Sequence, residues 1–203
     1  YLVGNRAESV DGETVRLRDG SEYTARVVIG AGGHNDPLRK SEWEVDSLVI
    51  PVKFVLMSGE FEDALELHFG SMAPGGYAWK FPKQGGANIG LGIQTSLARG
   101  KSLNEYSEEF VSRYEGRIEF RGAGSLPMSG SIDSFVKGKH LLVGDAAGMV
   151  LPSNGAGITI AMIGGRIAGQ VVAEHLRDGT PLSEYEVRWE AQMGKVMRNS
   201  KRA

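Results

Sequence analysis

The sequence predicts an α/β chain (α+β in its middle part): a strand-and-helix unit built from the two ends, with an antiparallel sheet inserted between them. Three observations predict it. A short apolar strand runs into a glycine loop near each end, at Gly30-Ala31-Gly32-Gly33 and at Gly144-Asp145-Ala146-Ala147-Gly148. The stretch between them alternates apolar and polar residues and is punctuated by Pro-Gly-Gly and Gln-Gly-Gly turns. A long apolar, glycine-led segment then follows Gly157, too long for a strand and rich in the small residues that let a helix lie close on a sheet.

Residues 1–29 read as three short strands, because Asp11-Gly12 and Asp19-Gly20 are turn dipeptides and Val15 and Leu17 alternate with polar neighbours. The third of these, 25–29, enters the first glycine loop. Residues 48–57, 65–69, 77–81 and 87–93 read as strands of the inserted sheet. Ser102 and Glu105 form a capping box, and Leu103, Tyr106, Phe110 and Tyr114 follow at helical spacing. Residues 139–143 are a second buried strand, and a helix from Gly157 to about Leu176 is ended by Asp178-Gly179. Ser183 and Glu186 read as the cap of a last amphipathic helix carrying Tyr185, Trp189, Met193 and Met197. The resulting division is 1–40 and 136–180 for the end-built unit, 41–135 for the inserted sheet, and 181–203 for a C-terminal helical region.

Composition narrows the function classes. The 203 residues are 41% hydrophobic and 24% charged, an ordinary globular balance. Net charge is −2, so no basic field points to nucleic acid. Cys is 0, which removes disulfides, thiolate metal sites and a cysteine nucleophile, and four unpaired histidines give no metal site. Glycine is in excess at 29 residues, roughly twice the usual ~7%. No run reaches the ~18 apolar residues of a membrane span, and no signal peptide is visible, so the expected location is cytoplasmic, peripheral at a membrane if attached at all. The first residue, Tyr1, already sits in a strand-like pattern, so the chain reads as part of a longer one.

The strand, Gly144-Asp145 turn and glycine-led helix carry the strongest chemical signal. An Asp at a strand end can accept hydrogen bonds from ligand hydroxyls, and a helix opening at Gly155-Ala156-Gly157 offers unpaired N–H groups and a positive dipole end to something anionic. Tyr77, Trp79 and Phe81 alternate along one strand, so their rings project from one face. That row is either an aromatic core stripe or a wall for an apolar ligand.

Three segments in order resemble one family. "LLVGDAAGMVLPSNGAGITIAMIGGRIAGQVV" is similar to the second flavin motif of FAD-dependent geranylgeranyl reductases and their aromatic hydroxylase relatives. "RVVIGAGGHNDPLR" resembles the family's first internal motif, with Gly32 where the family has Asp and Asp36 near its usual Ser. "GSMAPGGYAWKFPKQGGANIGLGI" resembles the Tyr-x-Trp-x-Phe-Pro signature and the Asn-x-Gly-x-Gly strand of the archaeal type. The resemblance implies part of a flavin-binding Rossmann-type domain with an inserted substrate domain, and reduction of isoprenoid C=C bonds in geranylgeranyl groups of ether lipid precursors. It implies FAD held by Asp145, Gly157 and Ile158 on the flavin side and by Ala31 on the nucleotide side. It implies a polyprenyl lipid against Tyr77, Trp79 and Phe81, and NAD(P)H or ferredoxin as electron donor. Tyr77 and His68 are candidate proton donors by residue type alone, and no catalytic residue is assigned. The N-terminal Gly-x-Gly-x-x-Gly segment of the family is absent, so the chain is expected to hold little FAD unaided. The alternatives are a flavin monooxygenase or halogenase, or a non-catalytic flavin- or lipid-binding fragment. A halogenase's Trp-x-Trp-x-Ile-Pro differs from Tyr77-x-Trp79-x-Phe81-Pro82 at two positions.

Overall fold

The computed structural model describes residues 2–202 and divides into two compact units. One runs to Leu48 and resumes at Pro127; the other is Val49–Leu126. Tyr1, read above as part of a strand-like pattern, and Ala203 lie outside the described residues.

The first unit opens with an antiparallel meander, β1 (Ala7–Asp11), β2 (Thr14–Leu17) and β3 (Glu22–Thr24). The Asp19 carboxylate closes the second turn by accepting from the Ser21 N–H and hydroxyl. The expected third strand at 25–29 is not part of this meander. Its place is taken by β3, and Val28–Gly30 forms β4 in a different sheet. That sheet has the order β10 (Val136–Lys137), β11 (His140–Leu142), β4. β11 and β4 run parallel, with His140 opposite Val28 and Leu142 opposite Gly30. Two strands over a hundred residues apart therefore close one sheet. Leu141 and Leu142 are fully buried there, and each such leucine contributes about 1.5–3 kcal/mol of burial.

Helix α1 (Pro37–Glu42) follows β4 with Asp36 as its N-cap and Pro37 at the position where a missing N–H costs nothing. Helix α3, numbered after α2 of the second unit (Leu103–Val111), spans Ile158–Asp178, two residues beyond the expected end, and Gly179 closes it in the left-handed region. It buries Ile160, Gly164, Ile167, Ala168 and Val171. The C-terminal segment is α4 (Glu184–Trp189), a π-helical turn at Glu190–Gly194, and α5 (Lys195–Arg202). Tyr185, Trp189, Met193 and Met197 all enter the core, as their spacing predicts. The predicted Ser183–Glu186 capping box does not form: Ser183 makes no side-chain cap bond. The Glu186 carboxylate instead accepts from the Ser134 hydroxyl and the Phe135 and Val136 N–H groups. Three donors on one segment hold it more strongly than the lone helix N–H a capping box offers.

The second unit is a five-stranded antiparallel sheet: β5 (Val49–Ser58), β6 (Glu66–His68), β7 (Tyr77–Lys83), β8 (Gly86–Gly92) and β9 (Arg117–Pro127). Their spatial order is β6-β7-β8-β5-β9. Helix α2 carries the predicted Ser102–Glu105 capping box in full. Its Tyr106, Phe110 and Val111 pack on one face of the sheet with Val55, Met57, Ala78, Ile89 and Leu91.

One buried cation sits on that face. Lys80 is 2% exposed and its Nζ lies 2.6 Å from Glu66, whose other carboxylate oxygen accepts from Tyr114 at 2.8 Å. The Lys80 bond, more than any other contact, holds the Glu66 carboxyl down to about 2. A carboxyl lowered on folding stabilises fully above its unfolded value and loses that contribution as pH falls through the folded one. Urea midpoints measured from pH 7 down to 2 should therefore fall more steeply below about 4.5 in the wild type than in Glu66→Gln. Parallel curves for the two proteins would contradict the assignment.

Candidate functional site

In the first unit the geometry converges on the ends of two neighbouring parallel strands. The Val143 N–H bonds the Gly30 carbonyl, so the chain leaves β4 and β11 side by side. β4 runs into Ala31, which is exposed, and the turn Gly33–Asn35. β11 runs through Val143 into a 3-10 turn, Gly144–Ala147. Strand ends of this kind present backbone N–H groups and side chains to a ligand in the crevice beyond the sheet.

The first loop is tied down by Asp36. One oxygen of its carboxylate accepts from the Leu38 and Arg39 N–H groups and the other from Gly32 N–H at 2.6 Å. A Cβ added at Gly32 would lie 2.8 Å from that second oxygen. Gly32 thus follows from Asp36: the carboxylate occupies the space a side chain at position 32 would need. Beside this loop a cavity of about 420 Å³ is walled by Val10, Val15, Ile29, Ala31, Gly32 and Asp36.

The second loop ends at Gly148, whose φ is +65°. A Cβ there would meet the Gly130 carbonyl at 2.2 Å, so both conformation and space require glycine. Asp145 is half-buried, and loss of hydration raises its carboxyl above the ordinary value, with His34 acting in the opposite direction. Gly157 is the N-cap of α3 and supplies no side chain to the helix's first N–H groups. A Cβ at Gly157 would stand 3.1 Å from Val150 and 3.5 Å from the Asp145 carboxylate. Asp145 and the open end of a 21-residue helix therefore share one spot. Ile158 begins that helix 83% exposed, and Met162 one turn on is 70% exposed. The structure brings together Ala31, Asp145, Gly157 and Ile158 on one unit.

In the second unit the aromatic row sits on the sheet face opposite α2. Tyr77 and Trp79 ring centres are 5.7 Å apart, and Trp79 and Phe81 are 6.0 Å apart and stacked at 21°. Phe69 extends the row beyond Tyr77, and Leu67 lies opposite Trp79 in register. Burial raises the Tyr77 phenol. His68 is not part of this face. It pairs with Ala78, bonds Glu66 at 3.1 Å and sets its ring against Phe110 of α2, because adjacent strand residues point to opposite sides. His68 thus lies on the face away from the aromatic row. Two further rings, Phe54 and Phe120, join the open face at 6.1 Å from each other. Sequence reading passed over them because β5 and β9 are distant in the chain; the alternating glycines of β8 and β9 were the available signal.

Paired parallel strands that feed glycine loops, a long helix opening beside them, and an inserted antiparallel sheet define an open α/β fold of the Rossmann type. Solved structures with this fold include a geranylgeranyl bacteriochlorophyll reductase-like protein from Thermoplasma acidophilum. It is 23% identical with a TM-score of 0.80, covering 98% of this chain and 55% of that one. A flavin-dependent halogenase from Brevundimonas shares the fold at 15% identity and a TM-score of 0.68, over 96% of this chain and 42% of its own.

Sequence is more discriminating than fold. Residues 49–123 match the geranylgeranyl reductase catalytic domain. Digeranylgeranylglycerophospholipid reductase 2 of Methanothermobacter thermautotrophicus is 37% identical over 96% of this chain and 54% of its own length. The chain is thus similar to geranylgeranyl reductases, residues 49–123 matching their catalytic domain, and it spans about half the length of the curated relatives it matches. Among the described residues no helix is long and apolar enough to cross a membrane.

Asp36→Ala should destabilise the protein by about 2–3 kcal/mol, since the buried Leu38 and Arg39 N–H groups and the partly buried Gly32 N–H lose their acceptor and α1 its cap. Asp36→Asn, which keeps an acceptor oxygen, should cost less. Denaturant midpoints decide it; equal midpoints for wild type and Asp36→Ala would show that the loop does not depend on this carboxylate.

Proposed function

We propose that this chain forms part of an FAD-dependent reductase that saturates C=C bonds in the geranylgeranyl groups of ether-linked glycerophospholipid precursors. The observation that carries the reading is a coincidence of boundaries. The family's catalytic domain matches 49–123, and the compact unit whose sheet bears the aromatic face is Val49–Leu126. An open face of Leu67, Tyr77, Trp79 and Phe81 suits a methyl-branched, unsaturated chain, which gains dispersion and CH–π contact and offers no polar group to satisfy.

The residues of the first unit fit a flavin. The N–H groups at the open end of α3 suit the electron-rich pyrimidine edge, and Asp145 can accept from ribityl hydroxyls. Gly157 leaves room for a planar ring against the backbone, and the cavity beside Ala31 suits the nucleotide side. A bound reduced flavin supplies hydride for one alkene carbon, while the other takes a proton. The chain's own part is to bind the cofactor's polar edge, seat the alkene on an aromatic floor and exclude water. The lipid substrate and an electron donor, NAD(P)H or ferredoxin, are the partners. The monooxygenase and halogenase alternatives share the fold, but the aromatic strand here keeps the reductase signature.

In the complete enzyme that contains this chain, incubation with FAD, dithionite and a digeranylgeranylglycerophospholipid should give products heavier by one H₂ per bond reduced, read by mass spectrometry. Hydroxylated or halogenated products from aromatic substrates, without prenyl reduction, would overturn the reading. Asp145→Ala should weaken FAD binding about 10- to 100-fold, the worth of a charge-assisted hydrogen bond. Trp79→Ala should lower prenyl turnover about tenfold or more while sparing flavin content. The reverse pattern, flavin lost at Trp79→Ala with turnover per flavin unchanged, would make Trp79 a core residue.

A further inference from the structure

The aromatic floor is held flat by residues of the neighbouring strand. Trp79 donates its indole N–H to the Asn88 side-chain oxygen at 2.8 Å. Its six-membered ring lies over Gly90, the residue opposite Trp79 in the β7–β8 register. A Cβ at Gly90 would come within 2.5 Å of Trp79 Cζ2, 2.6 Å of the Lys53 carbonyl and 2.7 Å of Phe54 Cβ. The same device recurs two strands away, where a Cβ at Gly122 would lie 2.3 Å from Phe54 Cζ. Two rings from different strands are thus sunk onto glycine backbone, so they present faces to solvent where ordinary side chains would present edges.

An indole on an open sheet face has several staggered rotamers within easy reach, and ring contact alone does not choose among them. The bond to Asn88 chooses one, and the missing Cβ at Gly90 makes room for it. The result keeps Trp79 within 21° of parallel to Phe81, giving a continuous two-ring surface. A ring lifted from Gly90 would stand as a ridge across that surface.

We infer that Asn88 and Gly90 are positioning residues that fix Trp79 flat, so that the sheet accepts an extended branched isoprenoid chain along its aromatic row. The inference rests on the prenyl reductase reading above and adds the residues that set the shape of the lipid-facing floor. Asn88 acts through Trp79 and needs no contact of its own with the lipid. Loss of its bond should be felt in binding more than in chemistry, because a mobile indole must be reordered whenever the chain docks.

The test combines a spectroscopic and a kinetic readout on the same variants. In proton–nitrogen spectra, the Trp79 indole N–H resonance, assigned by its loss in Trp79→Phe, should move on Asn88→Leu and stay near its wild-type position in Asn88→Asp, which keeps an acceptor oxygen. KM for the geranylgeranyl lipid should rise about three- to tenfold in Asn88→Leu, with kcat changed less, and return toward wild type in Asn88→Asp. Gly90→Ala should move the same resonance; because the Lys53 carbonyl also stands in its way, Asn88→Leu is the deciding variant if that protein does not fold. An indole resonance indifferent to Asn88→Leu, or a fall in kcat at constant KM, would overturn the inference. If the wild type reduces no prenyl lipid, the functional reading fails, while the indole resonance still decides whether Asn88 holds Trp79.

Discussion

The pairing of β4 with β11 is the constraint on which the rest depends. Each strand is three residues long, too short to persist alone, and they are joined only because Leu141, Leu142 and Val28 bury together with α3 and the C-terminal helices. The pairing is parallel, so both strands end on the same side, and the two loops that follow them are brought within reach of each other. Asp36 then orders the first loop and Gly148 permits the second. A chain segment of 78 residues can leave after Leu48 and rejoin at Pro127 because the closure does not need it to be short.

The inserted unit solves a different problem with the same residue. A sheet must bury one face, and α2 covers the side carrying Ala78, Ile89 and Leu91. The other face stays open and aromatic, an arrangement that calls for a ligand or partner. Glycine at alternate positions of β8 and β9 weakens those strands intrinsically, since it packs nothing and frees the unfolded chain. The rings that sink into the vacated space offset that weakness, and strand and floor are specified together. Lys80, between Trp79 and Phe81 in sequence, points to the opposite side and is neutralised by Glu66, so the charge in the aromatic strand never reaches its apolar face.

Much of this was legible in the residues. Period-two alternation placed Tyr77, Trp79 and Phe81 on one face, and Gly157 with its neighbours marked the start of a long helix. Ser102–Glu105 formed the cap its spacing predicts, whereas Ser183–Glu186, with the same spacing, did not. The difference is tertiary: Glu186 faces three donors of residues 134–136, a neighbourhood no local pattern announces. The strand entering the first glycine loop is expected to share a sheet with 139–143, and it does, Val28 pairing with His140 112 positions on; only its place as third strand of the N-terminal meander fails, because Glu22–Thr24 takes it. Gly32 looked like the loss of a motif carboxylate, and only geometry showed Asp36 filling the space beside it. His68 drew notice by residue type, and its register puts it beside Glu66 and Phe110, on the face away from the aromatic row.

The central claim is that the loops after β4 and β11 and the opening of α3 form one binding surface for a flavin. Titrating isotope-labelled protein with FAD and following backbone amide resonances tests it most directly. The amides of Ala31, Asp145, Gly157 and Ile158 should shift along a common binding curve, with those of α2 unmoved. Shifts confined to the sheet unit, or none at millimolar FAD, would contradict it.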